Sequence, residues 1–286
     1  MSEIWDKLIA CEQKIIEKCA SLGEEQFDDP EFDWLNRVFK GEHFRRAHID
    51  SVDARATKGL YMTHICVFPN FDNDAPIYGF DIIAGKKKVT GAFHDYSPTV
   101  DWNHPMCDLF RDCVQNLEWR KERELPDWAR AIFSGNMVAV GNVNTTEEMD
   151  QVVEIALDNL DMYFEELPKY TDSNLDKEQI RRKQNRYCYY QKQNPHTPRT
   201  MTSLGLNEED VREFLYEENN KNSVNESEIK DQVHRINKEL NKEQRKIIKM
   251  NFFENKSHKK IAEELEIPLG TVKSRIRHIL TKMQTI

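Results

Sequence analysis

The chain has 286 residues, 38% of them hydrophobic and 32% charged, which suits one large and one small globular domain. Its charge is uneven: positions 225–286 carry 14 Lys and Arg against 9 Asp and Glu, and the remainder 27 against 41, so a nucleic acid is expected to partner the tail and something else the rest. The opening MSEIWDKLIACEQKIIEK has no signal-peptide core and no apolar run could span a bilayer, so a cytoplasmic protein with no membrane partner is expected.

Taken in chain order, Ile4, Leu8, Ile15 and Cys19 mark an amphipathic opening helix. From 43 to 95 the pattern turns to period two, and strands are expected at 60–68, 77–85 and 88–95. The last two flank a Gly-Lys-Lys turn and should form a hairpin. A further strand is expected at 136–143. Helices are expected at 106–117, at 146–167 with Thr145 or Thr146 as N-cap, at 176–193 and at 207–219. Consecutive strands on short loops imply an antiparallel sheet covered by helices. The fold class is therefore α/β, a three-layer α/β/α sandwich with a central antiparallel sheet over 1–219. A polar linker follows at 220–229, then a small all-α helix-turn-helix domain at 230–286.

The six cysteines, Cys11, Cys19, Cys66, Cys107, Cys113 and Cys188, form no CxxC pair, and no GxGxxG occurs. They read as isolated reduced thiols. With neither an iron–sulfur ligand set nor a dinucleotide fingerprint, no bound cofactor and no metal are expected. A redox enzyme built this way takes its electrons from outside.

Four ionisable residues sit in or beside strands: His48, Asp50, His64 and Asp81. Residues two apart in a strand share a face, so His48 and Asp50 point the same way, and His64 lies with Met62 and Cys66. Gly79 removes side-chain bulk beside Asp81, which would let a flat ligand approach the sheet. A carboxyl in the middle of IYGFDIIAG is costly if buried alone. It either pairs with a core His or Arg, or it is held for proton donation. In the second case burial should raise the Asp81 pKa and lower that of His64.

The run FRRAHID…TKGLYMTHICVFPNFDNDAPIYGFDIIAGKKKVTGAFHDYSPT, with ERELPDWARAIFS and NRYCYYQKQNPHTPRTM, resembles the ferredoxin-dependent bilin reductases. The likeness covers most of 34–219. It implies reduction of biliverdin by single-electron steps with reduced ferredoxin as external donor, no metal or flavin, and protons from side chains around the tetrapyrrole. By motif match Asp81 is the central acid, His64 the histidine near the bilin lactam oxygens, and His48 a second histidine supporting the network. Arg123 matches a propionate-binding position, and Thr90, Asn194 and His196 fall among the substrate-binding residues. Two departures stand out. Asp50 replaces the Glu that phycocyanobilin-forming relatives carry, so its shorter reach points to the phycoerythrobilin-forming, phage-encoded branch. His196, flanked by Pro195 and Pro198, replaces a propionate-binding Lys. The turn Lys86-Lys87-Lys88, like Arg120 and Lys121, is a candidate dock for acidic ferredoxin or simply a solvated surface. The protein is expected to be a monomer.

The segment LNKEQRKIIKMNFFENKSHKKIAEELEIPLGTVKSRIRHILTKM resembles region 4 of sigma factors of the extracytoplasmic-function type. Ser257 is expected to cap one helix, and Val272, Ile276, Ile279 and Leu280 of the next to face Ile261 and Leu265. Glu266 stands where such turns often carry Gly. Thr271, Lys273, Ser274, Arg275, Arg277 and His278 would then face DNA, which makes DNA or RNA polymerase a candidate partner. No counterpart of the −10-opening sigma region is visible. The competing readings are a bilin-sensing transcription regulator without turnover, and a plain DNA-binding protein whose sandwich dimerises.

Overall fold

The computed structural model describes residues 2–26, 34–171, 174–204, 206–209, 211–212, 244, 246–247, 250 and 258–283, the last stretch without side chains beyond 276. The chain divides into two compact units, Met1–Val224 and Asn225–Ile286. The expected linker at 220–229, the Ser257 cap and most of the expected helix at 207–219 lie outside the described residues.

The first unit is built on one seven-stranded antiparallel sheet whose strands lie in chain order: β1 (Gly23–Gln26), β2 (Leu35–Gly41), β3 (Phe44–Ala54), β4 (Leu60–Pro69), β5 (Ile77–Gly85), β6 (Val89–Ser97) and β7 (Val138–Val140). The helices are α1 (Glu3–Leu22), α2 (Pro105–Val114), α3 (Asp127–Arg130), α4 (Thr146–Glu166), α5 (Lys177–Gln191) and α6 (His196–Leu204). The expected hairpin closes through Gly85 N–H donating to Lys88 O at 2.9 Å. Thr145 caps α4, accepting from Glu148 N–H at 3.2 Å. Strands β1 and β2 were not foreseen. They form a polar edge in which Arg37 pairs with Glu25 and lies over Phe39, and this blurs any alternation.

The two faces of the sheet are covered unequally. On one, Ile49, Ile65, Val67, Tyr78, Phe80, Ile82 and Tyr96 are buried against α1, α2 and α4, whose Leu8, Ile15, Phe110, Ala156 and Tyr163 are buried with them. On the other, α3 and α5 cover one end only, packing Ala129, Ile132, Phe133, Tyr187 and Cys188 on Cys66, Phe68 and Ile77. Beyond them Met62, His64, Gly79, Asp81, Ile83 and Phe93 remain half-buried. This open half-face is what a flat ligand could lie on.

A buried carboxyl ties α1 to the sheet. Glu12, 4% exposed, accepts hydrogen bonds from Tyr61 at 3.0 Å and from Ser51 and Thr63, directly behind the open face. All six cysteines are free, and only Cys113 is exposed. Among the described residues no helix is long and apolar enough to cross a membrane.

In the second unit α7 (His258–Leu265) and α8 (Leu269–Met283) enclose a small core of Ile247, Met250, Ile261, Val272 and Ile276, with Leu265 against it. Glu266 sits at the turn with φ +53°, the left-handed backbone that favours Gly. The side chains of Ile279 and Leu280 lie outside the described residues.

The Glu12 network yields the first prediction. Glu12→Ala strands three hydroxyls and leaves a cavity, and should lower stability by about 3 kcal/mol. Glu12→Gln keeps one acceptor oxygen and should cost about 1 kcal/mol. Equilibrium urea unfolding of both variants measures the difference.

Candidate active site

Antiparallel register lines up the site. Asn36, Asp50, His64, Asp81 and Phe93 are successive cross-strand partners on β2 to β6. The next row on the same face is Val38, His48, Cys66, Gly79 and Asp95. All four residues singled out from the sequence therefore meet on two adjacent rows of the open half-face.

Asp81 is paired, with His64: the imidazole Nδ1–H donates to Asp81 Oδ1. Its other nitrogen, Nε2, lies 3.2 Å from Cys66 Sγ. The expected lowering of the His64 pKa is overturned. Burial does pull it down, but the Asp81 carboxylate and the Cys66 sulfur outweigh burial and hold the imidazole well above its ordinary value. The sequence argument weighed only the apolar surroundings and missed the carboxylate that register sets opposite. His64 thus keeps its proton to higher pH than a free imidazole would.

His48 is 4% exposed. Its Nε2–H donates to Asn36 Oδ1 at 2.9 Å, and the same nitrogen lies 3.8 Å from Asp50 Oδ2. The His48 and His64 ring centroids are 6.4 Å apart. The space beside Gly79 is not empty: a Cβ there would lie 3.7 Å from Tyr187 Oη.

Sequence reasoning missed three participants. Asn36 lies on the unforeseen β2. Tyr187 reaches the sheet from α5 and accepts from Gln191 Nε2–H at 2.8 Å; its motif was noted, but nothing in it foretold where the phenol goes. Asp95, 1% exposed, accepts from Ser134 N–H and Ser97 Oγ–H, both at 2.9 Å, and so pins the segment that enters β7. Burial pushes its carboxyl up to about 6 against those bonds. Its period-two spacing from Phe93 was the available signal.

Arg123 and Thr90 come together at the other border of the open face. The guanidinium donates to Thr90 O and lies 5.7 Å over the Phe93 ring. Gly141 makes the slot: a Cβ there would fall 2.5 Å from Arg123 Nε. Thr90 Oγ–H donates to Ile83 O at 3.0 Å. Asn194 and His196 are not part of this cluster. Asn194 Oδ1 accepts from His196 N–H at 3.0 Å at the start of α6, where the His196 side chain is exposed.

In the second unit Lys273 and Ser274 are exposed, and Thr271 and Arg275 half-buried, on α8, whose Val272 and Ile276 are buried. The side chains of Arg277 and His278 lie outside the described residues. Among the described residues no group of three His, Cys, Asp or Glu is placed to hold a metal ion.

Curated relatives include a phycocyanobilin:ferredoxin oxidoreductase of Synechococcus sp. (strain CC9605), 31% identical over 174 residues, covering 58% of this chain and 67% of the relative. That of Gloeobacter violaceus is 30% identical over 187 residues, covering 64% and 72%. Among solved structures, that of PcyX is similar with TM-score 0.53 and 33% identity, over 73% of this chain and 94% of the other. The phytochromobilin synthase of tomato, solved in complex with biliverdin, has the same fold, with TM-score 0.57 at 15% identity over 74% and 80%. Residues 230–283 match the Sigma-70, region 4 family. Residues 2–217, well over half of the chain, match the ferredoxin-dependent bilin reductase family, and the chain belongs to it.

Proposed function

We propose that this enzyme reduces biliverdin IXα to phycoerythrobilin by way of 15,16-dihydrobiliverdin, taking electrons singly from reduced ferredoxin and holding no cofactor of its own. The observation that carries this reading is the row Asn36–Asp50–His64–Asp81 on a half-covered sheet face, with an aspartate as its second member. A flat tetrapyrrole laid on that face has Asp81 beneath it and Arg123 at its border. Arg123 anchors one propionate, with Thr90 holding it. His196, at the exposed start of α6, makes a weaker second anchor than the Lys it replaces. Ferredoxin, an acidic protein, docks at the exposed turn of Lys86 and Lys87.

The chemistry is one of alternating electrons and protons. Each electron adds negative charge to the bilin and raises its basicity, and a neighbouring acid then delivers a proton. Asp81 is that acid. Because Asp81 accepts the Nδ1–H of the His64 imidazolium, the proton it passes to the bilin is the one His64 hands to it, and the pair holds one transferable proton. Because the His64 pKa is raised, His64 keeps that proton to higher pH than a free imidazole would and loses it as the solution becomes alkaline. Two electrons and two protons saturate the C15–C16 bond, and two more of each reduce the A-ring diene.

Asp50 decides which bond is reduced. Relatives that reduce the D-ring vinyl group carry Glu there. An Asp carboxyl falls short by about 1.5 Å, one carbon–carbon bond, which is enough to lose a hydrogen bond. The vinyl group is then left without its proton donor.

The second unit is proposed to bind duplex DNA or RNA polymerase through α8. What supports this is the exposed Lys273 and Ser274 beside a buried Val272 and Ile276, together with the basic charge of 225–286.

Asp81→Asn keeps an acceptor for His64 but cannot deliver a proton. It should bind biliverdin as the wild type does, yet form product at least about 100-fold more slowly and accumulate an early radical. Anaerobic turnover followed by absorbance tests this, and product at the wild-type rate would make Asp81 merely structural. For the wild type, chromatography should find phycoerythrobilin as the main product, with Asp50→Glu shifting the mixture towards vinyl-reduced bilins. Phycocyanobilin as the main wild-type product would overturn the reach argument. Full-length protein should bind duplex DNA at low salt, more weakly as salt rises and more weakly still as Lys273→Glu. In a filter-binding titration, affinity indifferent to salt would count against a phosphate-driven contact.

A further inference from the structure

The His64 ring is gripped at both nitrogens, and only one grip involves Asp81. Cys66, two residues along β4 and on the same face, is 2% exposed and has its Sγ 3.2 Å from His64 Nε2. On the far side of that sulfur, 4.0 Å away, lies the phenol oxygen of Tyr187, itself 4% exposed. Tyr187 accepts from Gln191 on the next turn of α5. A continuous chain thus runs Asp81–His64–Cys66–Tyr187–Gln191, from the open face into the helical layer. Packing alone does not call for a thiol in the middle of a strand, where a β-branched apolar residue does equally well.

We propose that Cys66 is a positioning residue for proton donation: its sulfur accepts the Nε2–H of His64, keeps the imidazole doubly protonated and edge-on to Asp81, and couples it through Tyr187 to α5. This rests on the reading of Asp81 and His64 as the proton-donating pair. The physical requirement is simple. A neutral imidazole has one N–H, and Asp81 takes it at Nδ1. An imidazolium has two and needs a second acceptor, or one N–H is left unsatisfied on the buried side of the ring. The groups that face His64 are Asp50 and His48 from β3, Cys66 on its own strand, Asp81 from β5 and Tyr187 from α5. Of these, only Cys66 has an atom within hydrogen-bond distance of Nε2 among the contacts described. The Cys66 proton then points to Tyr187 Oη, which leaves the sulfur lone pairs to His64.

The test compares Cys66→Val, Cys66→Ala and Cys66→Ser in the full chain. Nuclear magnetic resonance of the His64 ring, without substrate, should show its pKa fall by about one unit in the Val and Ala variants. It should recover at least half of that in the Ser variant, whose hydroxyl oxygen can accept the same bond. The alkaline limb of kcat for bilin reduction should move down by the same amount, with kcat above neutrality reduced severalfold and KM within about twofold. If Val fails to fold, Ala and Ser carry the comparison. An unshifted His64 titration in Val or Ala would overturn the inference, as would a Ser variant no closer to wild type than the apolar ones. Should the titrations shift as expected while wild-type protein turns over no bilin, the proposed function falls, and with it the part in proton donation, while the hold of Cys66 on the His64 ring stands.

Discussion

The register of β4 against β5 is the constraint on which the rest depends. It sets His64 opposite Asp81, and the neighbouring pairs set Asp50 and Asn36 in line with them. In a sheet a slip of one residue sends every side chain to the other face. Here it would bury both charged groups among Tyr78, Phe80 and Ile82 and put those apolar side chains on the open side. The packed face is thus what fixes the reactive one. Several features hold the register: the hydrophobic layer under α1 and α4, the short turn from Gly85 to Lys88, and the Glu12 carboxyl tying Ser51, Tyr61 and Thr63 to α1 from behind.

Leaving half of one face uncovered has consequences for stability. Met62, Ile83 and Phe93 stay half-buried, and the apolar area they would otherwise remove from water contributes nothing until a ligand covers it. A planar, largely apolar tetrapyrrole recovers that contribution on binding. The helices that are present cover only the end of the face where Cys66, Phe68 and Ile77 lie. That is enough to hold Tyr187 over the sheet without closing the site.

Much of this was legible in the sequence and some was not, for identifiable reasons. Strands β4 to β6 announce themselves by alternation and by the Gly-Lys-Lys turn, and period two puts His48 with Asp50, His64 with Cys66 and Asp81 with Gly79 on one face of each strand. The pairing of His64 with Asp81 does not follow from period two, because it depends on register between strands, which a single strand's pattern cannot give. That is why the direction of the His64 shift came out reversed. Asn36 was hidden on β2, where the exposed Leu35 and the consecutive buried Val38 and Phe39 break the alternation. The grip of Gly141 on Arg123 needed two loops to be brought together in space, and glycine at 141 gives no periodic signal. Glu266, by contrast, was readable at once: it occupies a left-handed turn position, as helix-turn-helix spacing had required.

Two histidines on the same sheet show how little separates a structural group from a reactive one. His94, on β6, points to the packed face, where Nδ1–H donates to Gly79 O at 2.7 Å and the ring is hemmed in by Tyr78, Tyr96 and Phe110. No carboxylate is close enough to oppose burial, and its pKa falls to about 4. Its Nδ1–H serves as a fixed donor that ties two strands together. Burial pulls the His64 pKa down too, yet an adjacent carboxylate and sulfur reverse the outcome. The difference is not in the residue, nor in the depth of burial alone, but in which face of the sheet it takes and what register sets beside it. A sheet with one closed and one open face therefore sorts its histidines by parity, and only those on the open side are placed to exchange protons with a ligand.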